Sequence, residues 1–456
     1  MLILLLSVSI ALVTAGLFAA LAAPYLPMYS GWLWVVAGLF LVLSTGTLLR
    51  KLPLRYLFLV VPLGALLAQA GINSIWPEGL PKGPAAESTG VVAPAALQLV
   101  PVVVEEGPVA VRGQTLELPR GWQVKIFASD LGQARLLSQG PAGRLLVSIP
   151  DRGQILALAD TDHDGRADAT TLVADRLASV HGLALAGGTL WAAETDRLLR
   201  LELNDAGRAA NVTEQSRDLP SGGGHWTRTL AVKADGTLYL SAGSSCNACL
   251  ETDNRRATIM TFNAGSDRGR IFAYGLRNSV GLALHPLTGE LWASDNGRDM
   301  LGDDLPPDEI NRIEAGQDYG WPYCYGNRVP DPQLGSVQRC AETVPAAVEL
   351  PAHSAPLGIT FVQAALFDFP ADHLLLVAYH GSWNRSVPTG YKLVAIPFTA
   401  GRPSGQPFDL VRGWLHDGEV WGRPVAPLLG GDGALYLSDD LQGVIYRFGK
   451  DQPAGS

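Results

Sequence analysis

One short pattern recurs six times between Gly143 and Phe448. A small turn residue leads into an apolar run, a polar break follows, and a second apolar run closes the unit. The paired runs fall at 143–148 and 154–158, 188–193 and 198–203, 235–241 and 270–274, 289–294 and 309–314, 373–379 and 391–396, and 432–438 and 444–448. Apolar runs this short, bounded by glycine and polar residues, read as strands. A unit repeating at this interval has the size of a four-stranded blade. Six such blades close into a ring, which shields sheet edges by radial repetition. The expected fold is therefore all-β, a six-bladed β-propeller over 114–450, with Trp122-Gln-Val-Lys-Ile-Phe127 as the early strand that completes the last blade. A β-sandwich is the competing architecture.

The first 75 residues obey a different pattern. Segments 2–23, 31–49 and 56–72 are largely apolar and long enough to cross a bilayer as helices. The first has no basic leader, so it reads as a retained helix rather than a cleaved signal. Arg50, Lys51 and Arg55 lie between the second and third segments. The positive-inside rule then places the N-terminus in the cytoplasm and everything after Trp76 outside. The expectation is a three-helix domain over 1–75 in a bacterial inner membrane, in contact with membrane lipid. A Pro/Ala/Val-rich linker over 76–113 follows, within which Leu99–Val104 could form a strand, and then a periplasmic propeller.

A net charge of −9 argues against a nucleic-acid partner. The four cysteines all lie in the exported half, where disulfides are favoured. The pairing Cys324–Cys340 with Cys246–Cys249 is preferred. Cys249 is followed by Leu250, not His, which argues against a covalent c-type haem.

Polar residues gather at strand ends, where a rigid sheet presents them. Arg277 and Asn278 follow the strand Ile271–Tyr274, and Asp295, Asn296, Gly297 and Arg298 follow the run at Trp292. Gly222-Gly-Gly-His225 is a glycine-rich approach to a candidate proton acceptor, with His181, His353 and His380 as rivals. Arg385 and Arg423 enter two further units, so cations from several blades can face one axis. Asp160, Asp162 and Asp164 have the spacing of a calcium loop, although the twelfth position is Thr171 rather than Glu. No Walker loop, Rossmann glycine pattern, G-x-S-x-G elbow or H-E-x-x-H motif occurs.

Over roughly 115–450 the chain resembles the quinoprotein sugar dehydrogenases, most closely the sorbosone dehydrogenase branch and more distantly soluble glucose dehydrogenase. The resemblance is carried by Gly-Leu-Arg277-Asn278-x-x-Gly-Leu-Ala, Asp308-Glu-Ile-Asn311, Tyr319-Gly-Trp-Pro322, the glycines before His225, and His380-Gly-Ser-Trp-Asn-Arg385. It implies a six-bladed propeller carrying pyrroloquinoline quinone (PQQ) and calcium, and oxidation of an aldose or sugar aldehyde. His225 is then the general base, and Arg277 polarises the quinone oxygen. Asn278, Arg423 and, more weakly, Arg385 bind the cofactor. Asn296 and the carbonyls of Gly297 and Arg298 hold calcium. Electrons would leave to a membrane quinone such as ubiquinone. Gly224 stands where the resemblance expects an acid, and Arg298 where it expects proline. The alternatives are a calcium-dependent propeller hydrolase or lactonase, disfavoured by the arginines, and a non-catalytic binding propeller, disfavoured by His225 with Arg277.

Overall fold

The structure is a computed structural model, and it describes residues 97–450 apart from Asp205 and Ala264. The expected membrane spans lie outside these residues. Among the described residues no helix is long and apolar enough to cross a membrane.

The chain forms antiparallel sheets whose first strands touch in a closed cycle. The first sheet holds Leu137–Gln139, Leu145–Ile149, Gln154–Ala159 and Ala169–Ala174. The second holds Gly182–Ala186, Thr189–Ala193, Leu198–Leu203 and Ala209–Ser216. The third runs from Leu230–Val232 through Leu238–Ala242 and Thr258–Phe262 to Arg270–Tyr274. The fourth holds Gly281–Leu284, Leu291–Asp295, Asp308–Ile313 and Val348–Leu350. The last pairs Pro424–Leu429, Leu435–Asp439 and Val444–Lys450 with Trp122–Ala128. The early strand thus closes the ring as expected.

The expectation of six like blades is corrected. Five blades are regular four-stranded sheets, and the position between the fourth and the last holds a seven-stranded sheet. Pro356–Gln363, His373–Tyr379, Lys392–Thr399 and Phe408–Arg412 form its inner part. Thr115–Pro119 then pairs with Phe408–Arg412, Leu99–Val103 pairs with Thr115–Pro119, and Arg402–Pro403 pairs with Lys392–Thr399. Part of the stretch expected as a linker is therefore sheet. The physical reason is burial: Leu97, Val104 and Val111 are buried in a core shared with Leu116, Leu118, Leu374, Leu376 and Leu393.

Serines tie neighbouring sheets together around the axis. Ser148, Ser294 and Ser438 sit near the ends of second strands and are fully buried. Each accepts a backbone N–H from its own sheet's approach, from Leu136, Gly281 and Ala426 respectively. Each donates to a carbonyl of the next segment: His181 at 2.8 Å, Leu357 at 2.7 Å and Arg135 at 2.6 Å. The hydroxyl supplies both donor and acceptor, so a buried inter-sheet seam keeps its backbone groups satisfied.

Candidate active site

His225 enters between the second and third sheets. Its Nδ1 lies 2.9 Å from the Ser244 carbonyl oxygen and 2.9 Å from Ser244 Oγ. The Ser244 hydroxyl donates its own proton to the Cys246 carbonyl at 2.6 Å. Both neighbours of Nδ1 therefore accept, which fixes the ring proton on Nδ1 and leaves the Nε2 lone pair free. Burial, then the positive charge of Arg277, pushes the ring from its ordinary 6.5 to about 3. The imidazole is neutral at ordinary pH. Its backbone carbonyl accepts from Arg228 at 3.1 Å and Arg256 at 3.2 Å, and both are cations that also weigh against protonation of the ring.

Gly243 brings Asn278 against this histidine. A Cβ there would stand 2.6 Å from Asn278 Oδ1 and 2.7 Å from His225 Cβ. Only a residue without a side chain lets the two meet. The Asn278 and Arg277 backbone N–H groups both donate to Asp295, at 2.8 and 2.9 Å, which fixes the turn between the third and fourth sheets. Burial raises the Asp295 carboxyl to about 6.

Arg277 is almost wholly buried, with an exposure of 5%. Its Nε donates to the Asn247 carbonyl at 2.9 Å and its Nη1 to the Asn296 carbonyl at 3.2 Å. Its Nη2 donates to Asn247 Oδ1 at 2.9 Å and Asp299 Oδ2 at 3.2 Å. Four of its five N–H groups are thereby committed, leaving one on Nη1.

The Asn296–Arg298 segment runs beside this arginine. Asn296 Nδ2 donates to the carbonyls of Pro356 at 2.9 Å and Asn278 at 3.2 Å, so its Oδ1 is turned away from those bonds. The Gly297 N–H donates to Asp308 at 2.8 Å. Burial raises Asp308 to about 7 and Glu309 to about 8, and both carboxyls support backbone turns, Glu309 that at Gly326. Arg298 points its guanidinium away, onto Asp331 at 2.6 Å. Its side chain is structural, so its backbone alone fits the ligand role.

Arg385 and Arg423 are occupied by protein groups. Arg385 donates to Asp304 at 3.0 Å and the Ala352 carbonyl at 3.3 Å. Its neighbour Asn384 joins the site instead, donating to Asp299 Oδ1 at 2.8 Å. Arg423 donates to the carbonyls of His380 at 3.2 Å and Gly381 at 2.8 Å. Each rival histidine has one ring nitrogen engaged, as His225 does, but none adjoins Asn278 and Arg277. His181 Nδ1 lies 3.3 Å from the Arg228 carbonyl, His353 Nε2 2.8 Å from that of Gly302, and His380 Nε2 2.8 Å from Asp440. Asp440 also holds Arg135 at 2.6 Å, and Arg135 lies over the Trp226 ring beside the candidate base.

Asp160, Asp162 and Asp164 are elsewhere, in the hairpin between the third and fourth strands of the first sheet. Asp160 and Asp162 accept the backbone N–H of Asp164, and Asp160 also accepts that of Gly165. The Asp160, Asp162 and Asp168 carboxylates lie close together on an exposed turn. Both disulfides form as expected, Cys246–Cys249 and Cys324–Cys340. Sequence reasoning missed Asn247, Asp299, Ser244, Arg228 and Arg256. The only signal for Asn247 is its place between two paired cysteines.

The TrAA12-like family model matches residues 116–450. A pyrroloquinoline quinone-dependent sugar dehydrogenase of Hypocrea jecorina (strain QM6a) is 26% identical over 256 residues, 48% of this chain and 59% of that protein. A pyrroloquinoline quinone-dependent pyranose dehydrogenase of Coprinopsis cinerea is 27% identical over 347 residues, 62% of this chain and 45% of that protein. The chain spans about half the length of the curated relatives it matches. The holo form of the PQQ domain of the Coprinopsis enzyme shares the fold, with a TM-score of 0.64 at 23% identity over 76% of this chain and 99% of that one. The family model spans most of the sequence and the whole ring of sheets, and the chain belongs to the TrAA12-like family.

Proposed function

We propose that this chain oxidises a sugar or sugar aldehyde with PQQ as hydride acceptor, and that His225 is the base. The observation that carries this reading is the ring's fixed tautomer: Nδ1–H is held by Ser244, which leaves the Nε2 lone pair uncommitted, and Gly243 leaves room between the histidine and Asn278. The surroundings fit an anionic, oxygen-rich cofactor. Gly243 leaves a cradle that a Cβ would fill, Asn278 flanks it, and Arg277, Arg256 and Arg228 supply positive charge. PQQ, when bound, supplies the electrophilic quinone that accepts hydride.

His225 Nε2 accepts the substrate hydroxyl proton, and the Ser244 carbonyl stabilises the imidazolium that results. Anionic groups held near Arg277 would offset its effect on the ring and raise its basicity. The remaining N–H of Arg277 offers one fixed donor to charge developing nearby. Asn278 would help to hold the cofactor. The oxygens of Asn296, Gly297 and Arg298 are hard donors of the kind calcium takes, and we assign calcium there. Arg423 and, more weakly, Arg385 remain candidate cofactor-binding cations, each already pinned in part to a neighbouring loop. The Asp160–Asp168 hairpin is a second, separate calcium candidate.

Beyond the site, we read the seven-stranded sheet as the sixth blade, enlarged at its outer edge. We further propose that residues 1–75 anchor the chain in a bacterial inner membrane, with the ring in the periplasm and electrons passing to a membrane quinone. The test is reconstitution of the purified protein with PQQ and Ca²⁺, followed by dye reduction with a panel of aldoses. Turnover together with retained cofactor absorbance supports the reading, and absence of both overturns it. His225→Ala is expected to retain the cofactor absorbance and lose turnover.

A further inference from the structure

The base and the arginine come from different inter-sheet turns, yet both are mounted on one hairpin, Ser244–Glu251. On one side, Gly224 N–H donates to the Ser245 carbonyl at 2.9 Å and His225 Nδ1–H to that of Ser244. Gly223 allows this approach: its φ is +79°, and a Cβ would stand 2.5 Å from Ser245 Cα. On the other side, Asn247 receives Arg277 on both its carbonyl oxygen and Oδ1. The same Oδ1 accepts the Asp299 N–H at 2.8 Å, and Asn247 Nδ2 donates to the Asp299 carbonyl at 3.1 Å. Asn247 thus fixes Arg277 and the counter-ion of Arg277 together. The hairpin is closed twice, by Cys246–Cys249 and by Glu251, which accepts Ser245 N–H at 2.6 Å and Ser245 Oγ–H at 2.7 Å.

We propose that this disulfide-closed hairpin is the positioning element that sets the distance between His225 and Arg277, with Asn247 as its key positioning residue. The proposal rests on the roles assigned above to His225 and Arg277. Asn247 makes no proton transfer. It acts by holding a fork of donors rigid, and small displacements of such a group cost rate out of proportion to stability.

The test compares Asn247→Ala, Asn247→Asp and Cys246→Ala/Cys249→Ala with the wild-type chain. Asn247→Ala is expected to lower kcat about 10- to 100-fold with KM within about threefold. Asn247→Asp keeps the oxygen that receives Arg277 and Asp299 N–H, and is expected to recover much of that loss. The double cysteine variant is expected to fall between them. In the protein without cofactor, hydrogen–deuterium exchange in the 275–279 and 296–300 peptides is expected to rise in Asn247→Ala and return toward wild type in Asn247→Asp. Unchanged exchange and kcat within about twofold in Asn247→Ala would overturn the proposal. So would equal loss in Asn247→Ala and Asn247→Asp, which marks a merely structural role. If wild type shows no turnover, the dehydrogenase reading fails, while the exchange measurement still decides whether the hairpin holds Arg277.

Discussion

His225 donates Nδ1–H to the carbonyl of Ser244 at 2.9 Å, and this bond makes the ring an acceptor at Nε2 and nowhere else. Burial, then the charge of Arg277, lowers the ring's pKa to about 3 from 6.5. A depressed histidine has a definite sign in stability. Between these two values the unfolded chain binds a proton that the folded chain refuses, so stability is lost as pH falls through the window. Replacing His225 with Gln removes that proton uptake. Wild type is expected to lose stability relative to His225→Gln by up to about 1.4 kcal/mol per pH unit below about pH 6.5. Denaturant midpoints at about pH 7 and about pH 4 check this. Parallel midpoints for the two proteins would show that the ring is freely protonated.

Arg277→Lys should be a severe change. A lysine ammonium has three donors on one atom and cannot bridge Asn247, Asn296 and Asp299 in the plane that the guanidinium occupies. The Asp299 carboxylate keeps its bond from Asn384 but loses a fixed partner. Turnover of the reconstituted protein is expected to fall about 100-fold or more. The folded state is expected to survive, as judged by an unchanged far-ultraviolet circular dichroism spectrum. Wild-type turnover in Arg277→Lys would remove Arg277 from the mechanism.

Repetition made the ring legible, because each inward run must be apolar and each turn must be small or polar. His225, Arg277 and Asn278 stand out in the sequence as candidates because glycines and charges interrupt the repeat at strand ends, while the roles proposed for them come from the family resemblance. Leu99–Val103 was visible only as a short β-branched run, since nothing local specifies that it pairs with Thr115–Pro119. Arg298 and Arg423 look like free cations in the sequence. Their destinations, Asp331 and the His380 and Gly381 carbonyls, depend on distant chain segments. Asn247 has no periodic signal at all. Its importance arises from tertiary contacts 30 and 52 residues away.

The inter-sheet serines give a stability prediction remote from the site. Ser438 Oγ accepts from Ala426 N–H at 3.1 Å and donates to Arg135 O at 2.6 Å, with no exposure to solvent. Ser438→Ala strands both a buried donor and a buried acceptor. The expected cost is about 1–3 kcal/mol, read as a lower thermal midpoint. Ser148→Ala and Ser294→Ala should behave alike, since both repeat the arrangement. A cost near zero at all three would mean that water replaces the hydroxyl in the seam.

The two disulfides should separate function from stability. Cys324–Cys340 closes a loop across 16 positions and is buried, with Cys324 at 6% and Cys340 at 1% exposure. Cys246–Cys249 spans three positions and is half-buried on the hairpin. Loop closure of about 15 residues restrains the unfolded chain by about 3 kcal/mol, and a much shorter loop restrains it less. Cys324→Ala/Cys340→Ala is therefore expected to lower the thermal midpoint more than Cys246→Ala/Cys249→Ala. Turnover at a temperature where both remain folded should show the reverse order. A limiting dose of dithiothreitol gives the same contrast without mutation: two electrons and two protons convert one disulfide to two thiols as the reagent cyclises to its own disulfide. The less buried bridge should open first, so alkylation followed by peptide mass mapping should label Cys246 and Cys249 before Cys324 and Cys340, with turnover falling in step. Preferential labelling of Cys324 and Cys340, or full turnover with Cys246 and Cys249 labelled, would show that the bridge does not hold the site.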